Sequence, residues 1–66
     1  MRYFTYILQS QQNGSFYIGQ TQDLSARLGR HNKGMEKYTS KFKPWNLVWY
    51  GCFESRKEAF QMEQKL

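Results

Sequence analysis

The sequence predicts a small α+β domain: a three-stranded antiparallel sheet flanked by helices, in the order β-β-α-(short element)-β-α. Three runs of apolar residues predict the strands, and two segments with capping signals and an apolar stripe predict the helices. A chain of 66 residues has room for one domain, residues 1–66, and only a modest core.

The first two strands are predicted to form a hairpin. Residues 3–8, YFTYIL, are aromatic or β-branched, with large apolar side chains on both alternating sets. This pattern is typical of a central strand that is covered on both faces. Asn13-Gly14 is a strong hairpin signal, and residues 16–19, FYIG, follow as the second strand.

The remaining elements are predicted from caps and apolar runs. Asp23 is placed to cap the first helix, and Gly34 suits a left-handed helix end. A basic stretch with one short helical turn follows. Residues 45–53, WNLVWYGCF, are the most apolar run and predict a third, buried strand. Ser55 and Glu58 form a capping box that starts the final helix.

The charge distribution gives the first indication of function. Ten Lys and Arg against five Asp and Glu give a net charge of +5. Most of the basic residues form a band opposed only by Glu36, which suits a phosphate backbone, although solvated basic faces are also common. An anionic membrane surface fits less well, because the band lacks a sustained amphipathic helical pattern. The residues predicted to bind nucleic acid are Arg30, Lys33, Lys37, Lys41 and Lys43, with Tyr38, Phe42 and Trp45 as nearby aromatic residues.

The sequence carries no sign of export. Cys52 is the single cysteine, so no disulfide can form within the chain, and no Cys/His cluster indicates structural zinc. Residues 1–10 lack the features of a signal peptide, and no apolar run approaches the roughly 20 residues that cross a bilayer. We expect a cytoplasmic protein that does not bind membranes.

Glu63 departs from the apolar pattern of the final helix. In a helical-wheel projection it falls inside the apolar arc, and burying an unpaired carboxylate is costly. We therefore expect a cation, a hydrogen-bond donor or a metal ion to face it, unless it lies at the edge of the arc and reaches solvent.

Four further residues stand out where the sheet meets the first helix. Arg27 and His31 are four residues apart and share a face bordering the apolar stripe. A guanidinium in this position needs a carboxylate or a phosphate, whereas a lone histidine is more often a core residue with one hydrogen bond. Tyr6 and Tyr17 are predicted to lie nearly opposite each other on one face of the hairpin, which is ordinarily a packing arrangement.

Together these five residues can perform phosphodiester chemistry. A carboxylate can hold one divalent metal ion, and the metal and an arginine can neutralise the charge that develops on the phosphate. A phenol or an imidazole can accept a proton from water.

The chain resembles the GIY-YIG nuclease superfamily over nearly its whole length. The matching segments are a tyrosine in the first strand, YIG at the end of the second, DLSARLGRHN as the helix, and YTSK, PWNLV and SRKEA through to Glu63. The likeness is closest to the small, single-domain bacterial members that are described as excinuclease-like. It implies a metal-dependent endonuclease, with DNA favoured over RNA as the substrate.

The resemblance also implies a role for each residue. Tyr6 corresponds to a general base or water-orienting group, and Tyr17 to a group near the nucleophile and the scissile phosphate. Arg27 corresponds to the phosphate-binding arginine, and His31 to a supporting or proton-transferring histidine. Glu63 corresponds to the ligand of a single Mg²⁺ or Mn²⁺ ion.

Gly19 and the chain end complete the resemblance. Gly19 corresponds to the family glycine that lets the backbone pass close to the helix. Only Tyr6 matches in the first motif. Family domains usually continue past the metal glutamate, whereas this sequence stops three residues after Glu63. We therefore expect a domain truncated at its C-terminus.

Two other functions stay open from the sequence. One is a nucleic-acid-binding module without useful turnover, acting with a partner protein that supplies specificity. The other is a protein-interaction domain that docks through Trp45, Trp49 or an exposed sheet edge.

Overall fold

The computed structural model describes residues 2–66 and confirms the predicted α+β class. In chain order the elements are β1 Tyr3–Ser10, β2 Phe16–Thr21, α1 Leu24–Asn32, a 3-10 turn Thr39–Phe42, β3 Trp45–Phe53 and α2 Arg56–Lys65. None of the helices in the described part of the chain is long and apolar enough to cross a membrane.

The central strand is β1, as predicted, and the strand order is β2-β1-β3 with both pairings antiparallel. Its adjacent residues Thr5 and Tyr6 are both buried and point to opposite faces. The Thr5 hydroxyl donates to the Ala59 carbonyl of α2 (2.6 Å), while the Tyr6 hydroxyl meets His31 of α1 (3.1 Å). The two helices therefore pack on opposite faces of the sheet.

Local signals fix the turns and helix ends. Gly14 in the hairpin loop and Gly34 after α1 have positive φ angles of 77° and 78°, which suit glycine. The Asp23 carboxylate caps α1 by accepting from the Ala26 amide, and the Ser55 hydroxyl caps α2 by accepting from the Glu58 amide. The predicted boundaries of both helices are confirmed.

The prediction that β3 is buried is wrong beyond its first residue. Trp45 is 2% exposed, but Val48, Trp49 and Tyr50 are 48%, 39% and 53% exposed. The strand lies at an edge of the sheet, and a bulge displaces its pairing with β1 near residue 48. The continuous apolar run of β3 therefore does not mean that both faces of the strand are buried.

Trp45 anchors the core on the α1 side of the sheet. Its backbone amide donates to the Asn32 side chain (2.6 Å), whose amide donates back to the Trp45 carbonyl (3.2 Å). Its indole donates to the Thr39 carbonyl (2.8 Å). Because it is buried, Trp45 cannot form a docking surface for a partner protein. The core comprises Tyr6, Leu8 and Trp45, flanked by Tyr17, Leu24, Leu28, Phe42 and Leu47.

The hairpin register does not place Tyr6 and Tyr17 as close to opposite as expected. The turn lies where it was predicted, but this position pairs Tyr6 with Gly19 and Leu8 with Tyr17. Tyr6 and Tyr17 are therefore diagonal neighbours on one face, with ring centroids 6.5 Å apart, and are not directly opposite.

A glycine opposite Tyr6 makes room for the tyrosine ring. A Cβ atom at position 19 would lie 2.6 Å from the Tyr6 hydroxyl oxygen, 2.8 Å from Cζ of the same ring and 3.2 Å from the Tyr17 ring. The three nearest atoms thus belong to the two tyrosines, and the role expected for Gly19 towards the helix stays a prediction.

We predict that Gly19→Ala lowers the free energy of unfolding by about 1–3 kcal/mol, because the added methyl group displaces the Tyr6 ring. Gly29→Ala is the matched control, since a Cβ atom at this position in α1 meets nothing within 4 Å. The control is expected to stabilise the protein by about 0.5–1 kcal/mol through helix propensity. Urea unfolding of both variants measures the difference, and equal effects would contradict the steric explanation.

Candidate active site

Three of the predicted site residues meet between the β1–β2 hairpin and α1. Tyr6 and Tyr17 share one face of the sheet, and His31 projects from the last turn of α1 onto both. The His31 ring centroid lies 6.0 Å from that of Tyr6 and 5.1 Å from that of Tyr17. The sequence-based grouping of these side chains is thereby reproduced in space.

His31 is fully buried and bonded through both ring nitrogens. Its Nε2 atom is 3.1 Å from the Tyr6 hydroxyl, and its Nδ1 atom is 2.6 Å from the Thr39 hydroxyl. Thr39 lies on the 3-10 turn and is 1% exposed. Sequence reasoning missed Thr39, although it lies in the YTSK segment, because only the folded chain shows which residue contacts the histidine.

Burial keeps the Tyr6–His31 pair uncharged at neutral pH. It raises the pKa of Tyr6 to about 12, an effect that Tyr17 reinforces and the charge of Arg27 opposes. It also lowers the pKa of His31 from its ordinary value of 6.5. A guanidinium can only donate, so the Tyr6 oxygen accepts from Arg27 and the Tyr6 hydroxyl donates to His31 Nε2. The proton of the neutral imidazole is then on Nδ1, which donates to the Thr39 hydroxyl.

Tyr17 is the less enclosed of the two phenols. Its side chain is half-buried, whereas that of Tyr6 is 2% exposed. Its ring packs against His31, Trp45 and Tyr38. Burial, followed by the charge of Glu36, raises the pKa of Tyr17, so its hydroxyl also keeps its proton at neutral pH.

Arg27 faces a carboxylate that sequence reasoning did not assign. Glu36, in the loop after α1, places Oε1 3.8 Å from Arg27 Nη1 and 3.3 Å from Arg30 Nε. An arginine at this position was expected to need a carboxylate or a phosphate, and Glu36 meets that need in part. Both contacts are partly exposed to solvent, and the long Arg27 contact makes a weak pair.

Arg27 also lines an open cleft of about 480 Å³. The cleft lies beside the end of β2 and the starts of both helices, and Arg56 of α2 contributes a second guanidinium. The Arg56 guanidinium carbon lies 5.6 Å from the centre of the Tyr3 ring, in cation–π geometry. The cleft is lined by Tyr3, Gln20, Thr21, Gln22, Asp23, Arg27 and Arg56.

Glu63 approaches this region from the other face of the sheet. It lies on α2, and its Oε1 atom accepts a hydrogen bond from the Gln20 side chain at 3.2 Å. Gln20 follows Gly19 in the edge strand β2, and the charge of Glu63 contributes to the raised pKa of Tyr17. The expectation that Glu63 faces a donor is confirmed.

The donor set around Glu63 fits a single hard cation. In residues 2–66 no group of three or more His, Cys, Asp or Glu could enclose a metal ion. Magnesium, however, commonly binds through one or two carboxylates and completes its shell with water and substrate phosphates. Because Gln20 bonds only one carboxylate oxygen, Glu63 suits this mode of binding.

The basic residues predicted to bind nucleic acid all lie exposed. They lie in the second half of α1, in the loops on either side of the 3-10 turn and, for Lys41, in the turn itself, which also carries Thr39. The nearby aromatic residues differ from one another, because Trp45 is buried, Phe42 is half-buried and Tyr38 is 58% exposed. The five basic residues are Arg30, Lys33, Lys37, Lys41 and Lys43.

Relatives of this chain are small proteins named UPF0213. One from Bacillus pumilus is 39% identical over 64 residues, which are 96% of this chain and 64% of that protein. One from Staphylococcus aureus is 35% identical over 65 residues, which are 97% of this chain and 78% of that protein. The chain therefore spans less than two thirds of the Bacillus pumilus protein's length.

A solved structure shares the fold. The solution NMR structure of a UPF0213 protein from Bacillus halodurans has a TM-score of 0.58 and 36% sequence identity to this chain, covering 98% of this chain and 69% of that one. Residues 2–66 match the family model of the GIY-YIG catalytic domain, so the resemblance seen in the sequence is confirmed. With this match over the site just described, the chain belongs to the GIY-YIG catalytic domain family.

Proposed function

We propose that the protein is a metal-dependent endonuclease that hydrolyses phosphodiester bonds in DNA. Membership of the GIY-YIG family indicates nuclease-type activity, for which a divalent metal ion is general. The observation that carries the proposal is that Tyr17 and Arg27 both lie against the buried Tyr6–His31 pair. Glu63 is hydrogen-bonded to Gln20 of the same strand as Tyr17.

Glu63 is the residue that would hold the metal ion, either Mg²⁺ or Mn²⁺. A bound divalent ion supplies an activated water and neutralises charge on a phosphate oxygen. Gln20 orients the carboxylate by donating to Oε1, which leaves the other oxygen open.

Arg27 binds the scissile phosphate in this proposal. Its contact with Glu36 is long and partly exposed, so a phosphate can replace the carboxylate as its partner. A phosphate offers charge and several acceptor oxygens, which suits a planar guanidinium better than one distant carboxylate oxygen.

Tyr17 orients the attacking water or the phosphate with a protonated hydroxyl. The raised pKa values of Tyr6 and Tyr17 make either phenolate scarce at neutral pH. Since Tyr6 and His31 are buried, they act as positioning residues that set the place of Tyr17 and Arg27.

The exposed basic band supports a second function, a nucleic-acid-binding module without useful turnover that acts with a protein partner. This module would bind DNA with a strong salt dependence and would not need Glu63. Either function implies low sequence specificity, because a domain of this size has little surface with which to read bases. The two functions are separated by testing cleavage and binding on the same variants.

We predict that Glu63→Ala and Arg27→Ala each reduce cleavage of plasmid or branched DNA by about 100-fold or more in Mg²⁺ or Mn²⁺. Glu63→Ala is expected to keep its DNA affinity when measured in EDTA, because Glu63 contributes no phosphate contact. Glu54→Ala is the matched control, since Glu54 is an exposed carboxylate just before α2. Cleavage that survives both site substitutions would reject this active site, whereas binding without cleavage by the wild type would favour the module.

Glu36→Gln is expected to tighten DNA binding by up to about fivefold, because it frees Arg27 and Arg30 from a competing carboxylate. Fluorescence anisotropy with a labelled duplex measures the change. Glu54→Gln removes the same charge from an exposed residue that takes no part in these two contacts. An equal gain in both variants would show that net charge alone is responsible.

His31 is expected to stay neutral in the folded protein at pH values where a free histidine is half protonated. Because its folded pKa is lowered below 6.5, the unfolded chain binds more protons, so stability falls as the pH drops from 6.5 towards the lowered value. His31 is the single histidine in the chain, so its NMR titration is unambiguous. Urea unfolding between about pH 7 and pH 5 gives the linked loss. A folded-state pKa at or above 6.5 would contradict this account.

A further inference from the structure

Tyr38 borders the candidate active site with most of its side chain in solvent. It is 58% exposed, although its ring stacks on Tyr17 with a centroid distance of 6.0 Å and an interplanar angle of 28°. Phe42 meets the same ring from another direction, at 5.9 Å and 60°. These two contacts orient the ring and leave much of its surface uncovered.

The surroundings of Tyr38 are basic. Lys37 precedes it directly and Lys41 follows within one turn, and both are exposed. An exposed aromatic ring within a positively charged surface is the arrangement that proteins use to bind single-stranded nucleic acid, because the charges follow the backbone and the ring stacks on a base. Tyr38 differs in this respect from Trp45, which is buried in the core.

We propose that Tyr38 stacks on an unpaired nucleobase beside the scissile phosphate, so that the substrate class of this site is nucleic acid with unpaired nucleotides. The inference rests on the proposed function, which places Tyr17 at the scissile phosphate and hence Tyr38 at the neighbouring nucleotide. Inside a continuous duplex both faces of a base are covered by its neighbours, so the ring reaches only a base that has left the stack. Single strands and the unpaired positions of branched DNA meet this condition.

The alternative is that Tyr38 only supports Tyr17 by packing. A supporting role would affect binding whether or not the ligand carries bases, whereas stacking depends on the base itself. Two ligands with the same number of phosphates separate these roles: a thymidine oligonucleotide of about eight nucleotides, and the same backbone made entirely of abasic residues.

The experiment measures the affinity of both ligands in EDTA, so that cleavage does not interfere. Tyr38→Leu is expected to weaken binding of the thymidine oligonucleotide by about tenfold and to leave binding of the abasic backbone nearly unchanged. Tyr38→Phe keeps the ring and should retain the wild-type affinity. Tyr50→Leu is the matched control, because Tyr50 is similarly exposed at 53% but packs against Phe4 on the sheet.

Equal weakening of both ligands by Tyr38→Leu would overturn the inference, as would wild-type binding to a blunt duplex as tight as to a single strand with the same number of phosphates. A different result would reject the proposed function without rejecting this inference. A wild-type protein that prefers the thymidine ligand through Tyr38, yet cleaves nothing with Mg²⁺ or Mn²⁺, would uphold the inference and reject the endonuclease.

Discussion

The buried hydrogen-bond chain from Tyr6 through His31 to Thr39 is the interaction on which the rest of the site depends. It joins the central strand, the first helix and the 3-10 turn at bond lengths of 3.1 Å and 2.6 Å. Three polar side chains with almost no solvent contact are acceptable only because each has a partner, and loss of one would leave another buried and unsatisfied. These hydrogen bonds form in only one arrangement of the three elements. That arrangement also fixes the position of Arg27, which lies one turn before His31 on the same helix.

This hydrogen-bond chain in turn depends on close packing around it. Gly19 admits the Tyr6 ring, and Trp45 ties β3 to the end of α1 and to the 3-10 turn. These contacts serve stability and function together, because the aromatic side chains that form the core also carry the hydroxyl groups of the site. A domain of this size has few core positions, so the same residues must serve both the core and the site.

The features that the sequence predicts correctly are those set by local chemistry. Asp23, Ser55, Gly14 and Gly34 place caps and turns through bonds and φ angles within a few residues. The contacts it does not predict are set by tertiary structure. The edge position of β3 depends on strand order, and the partners Thr39 and Glu36 come from a loop whose course no periodic pattern describes. Arg27 and Glu63 were found because a charge beside an apolar stripe conflicts with simple burial. Tyr6, Tyr17 and His31 are compatible with ordinary packing and were assigned through their grouping and the family resemblance, whereas Tyr38 was noted only as an aromatic residue near the basic band.

The packing of the two helices on opposite faces of the sheet divides the site into two parts. The side that carries Arg27 and the basic loop belongs to α1 and the main core, whereas the Glu63 carboxylate belongs to α2, where Ala59 is the buried residue. Each helix has one buried residue, His31 in α1 and Ala59 in α2, and packs on its own face of the sheet, so that one helix can open locally without the other. Opening of α2 alone would remove Glu63 and leave the exposed basic residues in place. Under the proposed function, metal binding and phosphate binding therefore depend on separate packing surfaces within one small domain.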